Sequence, residues 1–176
     1  MQYDPRPSTS SPPPIQPTGF FTGIQFRPVI GGVVVDTIAT IALTTLYYSF
    51  FVAQDLAARG AASDDAFSQY WNSSDGLIAS LLLGSLGTMI GGFFAAYKAG
   101  TLEMKHGALV GIGSIILGLV LQAAGEQEAA TPEWFMALSF AAAIPAGAIG
   151  GFFAEMFKNA IGGAGPPGRG TAPVSR

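Results

Sequence analysis

The sequence predicts an all-α integral membrane protein with four transmembrane helices, and three observations lead to this fold class. First, 49% of the 176 residues are hydrophobic and only 11% are charged, whereas charged residues make up about 25% of a typical soluble domain. Second, four apolar segments reach the ~20 residues that a helix needs to cross a bilayer. Third, the charged residues are sorted between the two sides. We place the spans at about 28–53, 77–97, 107–124 and 134–157.

The sorting of charge predicts the orientation of these helices. One basic residue, Arg59, and seven acidic residues lie in the two connections on one side. Seven basic and two acidic residues lie on the other side, in the two termini and the segment 98–106. Because basic residues accumulate in cytoplasmic segments, we expect both termini in the cytoplasm.

Polar tails flank the predicted transmembrane domain, which covers residues 28–158. Residues 1–27 are rich in proline and serine, and we expect a disordered cytoplasmic tail that ends in an apolar foot at the membrane surface. Residues 159–176 are rich in glycine and proline and are expected to form a second flexible cytoplasmic tail.

A hexapeptide, Ile-Gly-Gly-Phe-Phe-Ala, occurs at residues 90–95 and again at 149–154. Both copies precede a basic residue of the same side, so the second and fourth helices are expected to run in the same direction. A duplication of two helical hairpins would produce this pattern, and a chance match between apolar segments would also produce it.

Small residues recur at four-residue spacing along three of the predicted helices, in stripes that let helix backbones approach closely. We expect these stripes to pack statically, within the bundle or between protomers; a glycine-lined conduit or moving gate is the alternative. The helix-packing candidates are Gly87, Gly91, Gly92, Gly107, Gly111, Gly147, Gly150 and Gly151.

Asp36 is an ionisable acid inside the first predicted helix, where insertion costs ~2.5 to 3.5 kcal/mol. Counting ~1.5 Å per residue from Pro28 places Asp36 ~12 Å into the membrane, level with the repeated glycines and with Ser114. In the favoured interpretation, Asp36 packs as a neutral acid into the notch that the repeated glycines leave, which we call the glycine notch, and it hydrogen-bonds Ser114 or exposed backbone. In the other, the notch holds water and Asp36 binds a proton or a cation.

Four ionisable side chains are expected near the cytoplasmic interface: Lys98, Lys105, His106 and Glu155. Glu155 is placed to pair with any of the other three, in a solvated pair that contributes little stability. His106 is the only histidine and the chain has no cysteine, so we expect no metal site and no cofactor. Ligation of a haem or pigment by His106 alone is the option left open.

The function classes that remain are not enzymatic, since the sequence contains no catalytic motif, and the dispersed basic residues do not favour nucleic-acid binding. Glycine-rich spans ending in Gly-Gly-Phe-Phe-Ala, followed by a short basic turn and His106-Gly107, resemble small bacterial four-span membrane proteins. That resemblance implies this fold and the bacterial cytoplasmic membrane, without an activity.

Two functional hypotheses follow from these observations. The first is a structural or accessory subunit that packs in the lipid bilayer, as a homo-oligomer or within a larger membrane complex. The second is an oligomeric small channel or transporter that uses Asp36 and the glycine notch.

Overall fold

The computed structural model describes Gly19 and residues 21–61, 63, 65–125 and 132–162, and the elements within these ranges are all helical. Within these ranges, four stretches are long and apolar enough to cross a membrane: Phe26–Ala58, Ser74–Ala99, Glu103–Ala124 and Glu133–Ile161. The all-helical fold with four candidate spans is therefore confirmed. Most of the predicted tails 1–27 and 159–176, namely residues 1–18, 20 and 163–176, lies outside the described residues, but residues 159–162 continue the last helix and are not part of a flexible tail.

The helices in chain order are α1 (Phe26–Tyr47), α2 (Ala53–Ala58), α3 (Ala66–Trp71), α4 (Ser74–Ala99), α5 (Glu103–Ala124) and α6 (Glu133–Gly162). A π-helical turn, Tyr48–Val52, joins α1 to α2, so the first span is one continuous helical rod. It extends past the predicted end at residue 53, because Ala53–Ala58 consists largely of good helix formers and continues the helix.

Local chemistry sets the ends of α4. Ser73 precedes it in an extended conformation and accepts a hydrogen bond from the Gly76 amide at 3.1 Å, which satisfies one free donor of the first turn. At the other end, Gly100 takes a left-handed conformation with φ of 74°, which costs glycine little. The turn to α5 is therefore only three residues long, and it holds α4 and α5 antiparallel.

We call the end of the bundle with this turn the turn end, and the end with α2 and α3 the loop end. The start of α1 and the end of α6 also lie at the turn end. Helix α4 packs against α1, α5 and α6, and α5 also packs against α1 and α6. The two copies of the hexapeptide lie on α4 and α6, which run in the same direction, and Gly150 packs against the backbone of Phe93.

Glycines make the helix contacts in the half of the bundle nearer the turn end. A Cβ on Gly147 would overlap the carbonyl oxygen of Gly107 on α5, and a Cβ on Gly92 of α4 would overlap that of Gly147. Gly32 of α1 packs in the same way on Gly91 of α4. Each of the eight predicted packing glycines faces a neighbouring helix of the same chain at a distance that excludes a methyl group.

Aromatic rings hold α3 against the first span at the loop end. Tyr48 lies in the π-helical turn, and its ring centroid is 4.8 Å from that of Phe67 and 6.1 Å from that of Tyr70. The hydroxyl groups of Tyr47 and Tyr70 are hydrogen-bonded at 2.9 Å. This cluster ties the connection between the first two spans to the bundle.

Candidate functional site

Asp36 lies on the face of α1 that meets α4, and only 5% of its surface is exposed. One turn earlier, Gly32 brings the backbones of α1 and α4 together at Gly91. A Cβ on Gly91 would lie 2.7 Å from the Cβ of Asp36, so glycine at position 91 leaves the space that the aspartate occupies. Asp36 and Gly91, which the sequence placed at the same depth, are therefore in direct contact.

Three hydroxyl groups from three helices surround the Asp36 carboxyl group. Thr40, one turn further along α1, lies 3.2 Å from Oδ1. Thr88 of α4 lies 3.3 Å from Oδ1 and 3.2 Å from Oδ2, and Ser114 of α5 donates to Oδ2. Thr40 and Thr88 were not among the residues predicted from the sequence.

The same hydroxyls also have backbone acceptors. Thr88 Oγ1 lies 3.0 Å from the carbonyl oxygen of Gly84, and Ser114 Oγ lies 3.0 Å from that of Val110. Each hydroxyl has a single hydrogen, so it donates either to Asp36 or to its carbonyl. When Asp36 is ionised, the Thr88 and Ser114 hydroxyls can donate to it; when Asp36 is protonated, its single hydrogen is donated to one acceptor and these hydroxyls can donate to their carbonyls. Rotation of these two hydroxyls can therefore satisfy the hydrogen bonds of either protonation state of Asp36.

A cavity of about 340 Å³, which we call the vestibule, begins at Asp36 and lies between α1, α4, α5 and α6. It is partly open and extends towards the loop end, over ~10 Å along α5 from Ser114 to Leu121. Its polar lining consists of one acid and seven hydroxyl side chains: Asp36, Thr37, Thr40, Ser80, Ser85, Thr88, Ser114 and Ser139. Nine apolar residues complete the wall.

The vestibule is closed on the turn-end side of Asp36. A Cβ on Gly32 would lie 2.6 Å from Val110, 2.8 Å from the Cβ of Ala95 and 2.8 Å from the carbonyl oxygen of Gly91. Val110 and Ala95 are fully buried, and together with Val29 they form a small apolar core. Packed atoms of α1, α4 and α5 thus close the turn-end side of Asp36, and the vestibule lies on its loop-end side.

His106 is not the interfacial charge that the sequence suggested, because it is fully buried. Its Nε2 accepts a hydrogen bond of 2.9 Å from the backbone N–H of Gln25, the residue that precedes α1. Nδ1 therefore carries the hydrogen and donates to the carbonyl oxygen of Leu102 at 3.1 Å. The Gln25 side chain in turn donates to the carbonyl oxygen of Ala99.

These bonds leave His106 without a free nitrogen for a haem or pigment. A metal would need the lone pair of Nε2, which the Gln25 amide occupies, and the surrounding atoms leave no solvent-accessible surface on the ring. The residues therefore do not fit the ligation left open by the sequence. His106 instead fastens the start of α1 to the turn between α4 and α5.

The ion pair at the turn end also differs from the expected one. Within the described part of the chain, Lys158 Nζ pairs with Glu103 Oε1 at 3.1 Å and donates to the carbonyl oxygen of Ala96 at 3.0 Å. Glu155, expected to pair with Lys98, Lys105 or His106, lies exposed on α6. Lys98 lies 5.9 Å from the centroid of the Phe94 ring, and Lys105 is exposed.

A missed signal was available for this pair. Glu103 is the first residue of α5, and Lys158 lies in the last part of α6, near its end at Gly162. The directions of the two helices therefore place both residues at the turn end. In the described ranges, no group of three His, Cys, Asp or Glu residues is placed to hold a metal ion.

Comparisons with known proteins give no relative from which to transfer a role. No family model, curated protein or solved structure matches the chain. The geometry around Asp36 therefore has to carry the functional argument by itself.

Proposed function

We propose that this protein is a small membrane channel or transporter in which Asp36 binds a proton or cation that enters through the vestibule. The observation that carries the proposal is the vestibule itself, to which all four long helices contribute and which ends on a buried acid surrounded by hydroxyls. An intramembrane acid costs several kcal/mol, and acids at such positions mark ion or proton pathways. A purely structural hydrogen bond could be made by asparagine or serine at lower cost.

The proposal also requires a gate that opens on the turn-end side of Asp36. The vestibule lies on the loop-end side of Asp36, and the contacts of Gly32 with Gly91, Ala95 and Val110 close the other side. Passage therefore requires α1 to move away from α4 or α5 near Gly32. Contacts between glycines and small side chains favour such a gate, because few interlocking side chains have to be separated.

We further propose that both termini are cytoplasmic, in a bacterial inner membrane, so that the vestibule faces the outside. The support is the excess of basic residues in the termini and in 98–106. The chain has no cysteine, so single cysteines report orientation. Ala61→Cys at the loop end is expected to react with a membrane-impermeant maleimide on intact cells, and Thr101→Cys only after lysis. The reverse pattern would overturn the orientation.

A role as a structural subunit, in a homo-oligomer or a larger complex, is the alternative. The glycine stripes led to this hypothesis, but in the structure they contact helices of the same chain. They therefore no longer favour an interface between chains. Mass analysis of the protein purified in mild detergent tests for a larger complex, because a subunit of one co-elutes with other proteins at stoichiometric ratio, whereas a channel made of this chain alone does not.

Filling the vestibule tests the proposed function directly. Gly84 lines the vestibule, and a Cβ there would have no atom within 4 Å, so a leucine side chain at this position starts in open space and adds bulk to the vestibule. We expect Gly84→Leu to reduce proton or alkali-cation flux into liposomes about tenfold or more, as obstruction of a pathway does. The measurement is the fluorescence of a pH-sensitive or cation-sensitive dye inside the liposomes.

The matched control is Leu82→Phe, which adds bulk to the same helix on a side chain that is 60% exposed and outside the vestibule. It is expected to leave the flux unchanged. Equal flux through wild type and Gly84→Leu would exclude the vestibule as the pathway. Wild-type liposomes that conduct no better than empty ones would contradict the proposed function.

A further inference from the structure

Resting on the proposed function, we propose that the vestibule binds a small organic ammonium ion, with its charged group at Asp36 and an apolar body against the opposite wall. The first argument is size. A volume of about 340 Å³ lies within the ~300 to 1,000 Å³ typical of small-molecule pockets. A proton needs no such space, and the space exceeds about tenfold the ~30 Å³ that one water occupies in the liquid.

The second argument is the composition of the wall. Large apolar side chains from all four long helices line the vestibule: Ile41, Leu81, Ile115, Leu117, Leu121 and Phe140. An inorganic cation keeps or replaces its hydration with oxygen atoms and gains nothing from such side chains. A ligand with a hydrocarbon body gains affinity by covering them.

The third argument is the sign and position of the charge. Of the seventeen lining residues that the structure describes, Asp36 alone is ionisable, and its ionised form attracts cations and repels anions. Thr40 and Thr88 add hydroxyl oxygens beside the carboxyl group. A primary ammonium group has three N–H donors, and the carboxylate and these hydroxyl oxygens supply acceptors for them. The polar end and the apolar end of the vestibule thus match the two ends of one amphipathic cation.

Phenethylamine and 2-phenylethanol provide a matched pair of probes, since they have nearly the same size and only the amine is charged at neutral pH. Isothermal titration calorimetry would be performed with the full chain in detergent micelles, and with empty micelles to subtract partitioning. We expect the wild type to bind the amine at least about tenfold more tightly than the alcohol, because a charge-assisted hydrogen bond to Asp36 forms only with the amine. Asp36→Asn is expected to abolish this preference.

A second variant keeps the test independent of Asp36. Gly118 lines the vestibule with open space around its Cβ position, so Gly118→Leu is expected to weaken binding of the amine about tenfold. Leu119→Phe, at the next position and outside the vestibule, is the control expected to bind as the wild type does. Equal affinity for amine and alcohol, or an unchanged preference in Asp36→Asn, would overturn the inference.

The failure of this inference and that of the proposed function give different results. If Gly84→Leu abolishes proton or alkali-cation flux while phenethylamine does not bind, the cargo is inorganic and only the ammonium site is refuted. If neither flux nor amine binding is found in the wild type, both proposals are refuted. Amine binding that Asp36→Asn and Gly118→Leu both weaken supports the ammonium site.

Discussion

Gly147→Ala is expected to lower the free energy of unfolding by about 3 kcal/mol, because a single methyl group overpacks the point where three helices meet. Its Cβ would overlap the carbonyl oxygen of Gly107 and lie 3.1 Å from the Gly111 amide nitrogen. Both obstacles are α5 backbone, so no side chain can move aside and α6 has to shift away from α5. The shift would also disturb the contact of Gly147 with Gly92 of α4.

Gly118→Ala is the matched control, since it makes the same chemical change in α5 where no atom lies within 4 Å of the new Cβ. Alanine is favoured over glycine inside a helix by about 1 kcal/mol, so this variant is expected to be as stable as the wild type or more so. Thermal unfolding in detergent micelles, followed by circular dichroism, gives both midpoints. Equal midpoints for the two variants would show that the close backbone contact at Gly147 does not hold the bundle together.

The four spans could be predicted because their signal is local and strong. Each is an apolar run of sufficient length, and the ends of α4 carry a capping serine and a left-handed glycine within the sequence itself. Helix α3 and the π-helical turn could not be predicted in this way. Residues 66–71 have no long apolar run, and α3 packs through rings, such as that of Tyr48, that belong to the preceding span.

The sequence predicted the depth of the site along the helices, but it did not predict which helix faces form the site. The rise per residue is fixed in a helix, so counting along the helices placed Asp36 level with the repeated glycines and with Ser114, and the structure brings Asp36, Gly91 and Ser114 together. Counting does not say which face of α4 meets α1, and it therefore missed Thr88. The burial of His106 was equally hidden, because its partner Gln25 is 81 residues away in the chain.

Asp36→Asn is expected to reduce flux to the level of empty liposomes while changing the free energy of unfolding by no more than about 1 kcal/mol. Asparagine has nearly the same shape and cannot bind and release a proton near neutral pH. Its carbonyl oxygen still accepts from Ser114, and its amide group donates to a hydroxyl oxygen of Thr40 or Thr88. The substitution also removes an ionisable group from the span, which compensates for weaker hydrogen bonds.

Thr44→Val is the control for loss of a polar group from the same helix. The Thr44 hydroxyl donates to the carbonyl oxygens of Thr40 and Ile41 and does not line the vestibule, so this variant should conduct as the wild type does.

Both flux and unfolding are measured for each variant, because the pair of values separates the roles of Asp36. Wild-type flux in Asp36→Asn would make the acid structural. Loss of flux together with several kcal/mol of stability would mean that Asp36 acts through folding. Loss of flux in a bundle of unchanged stability assigns the acid to the transported species, which is the result we expect.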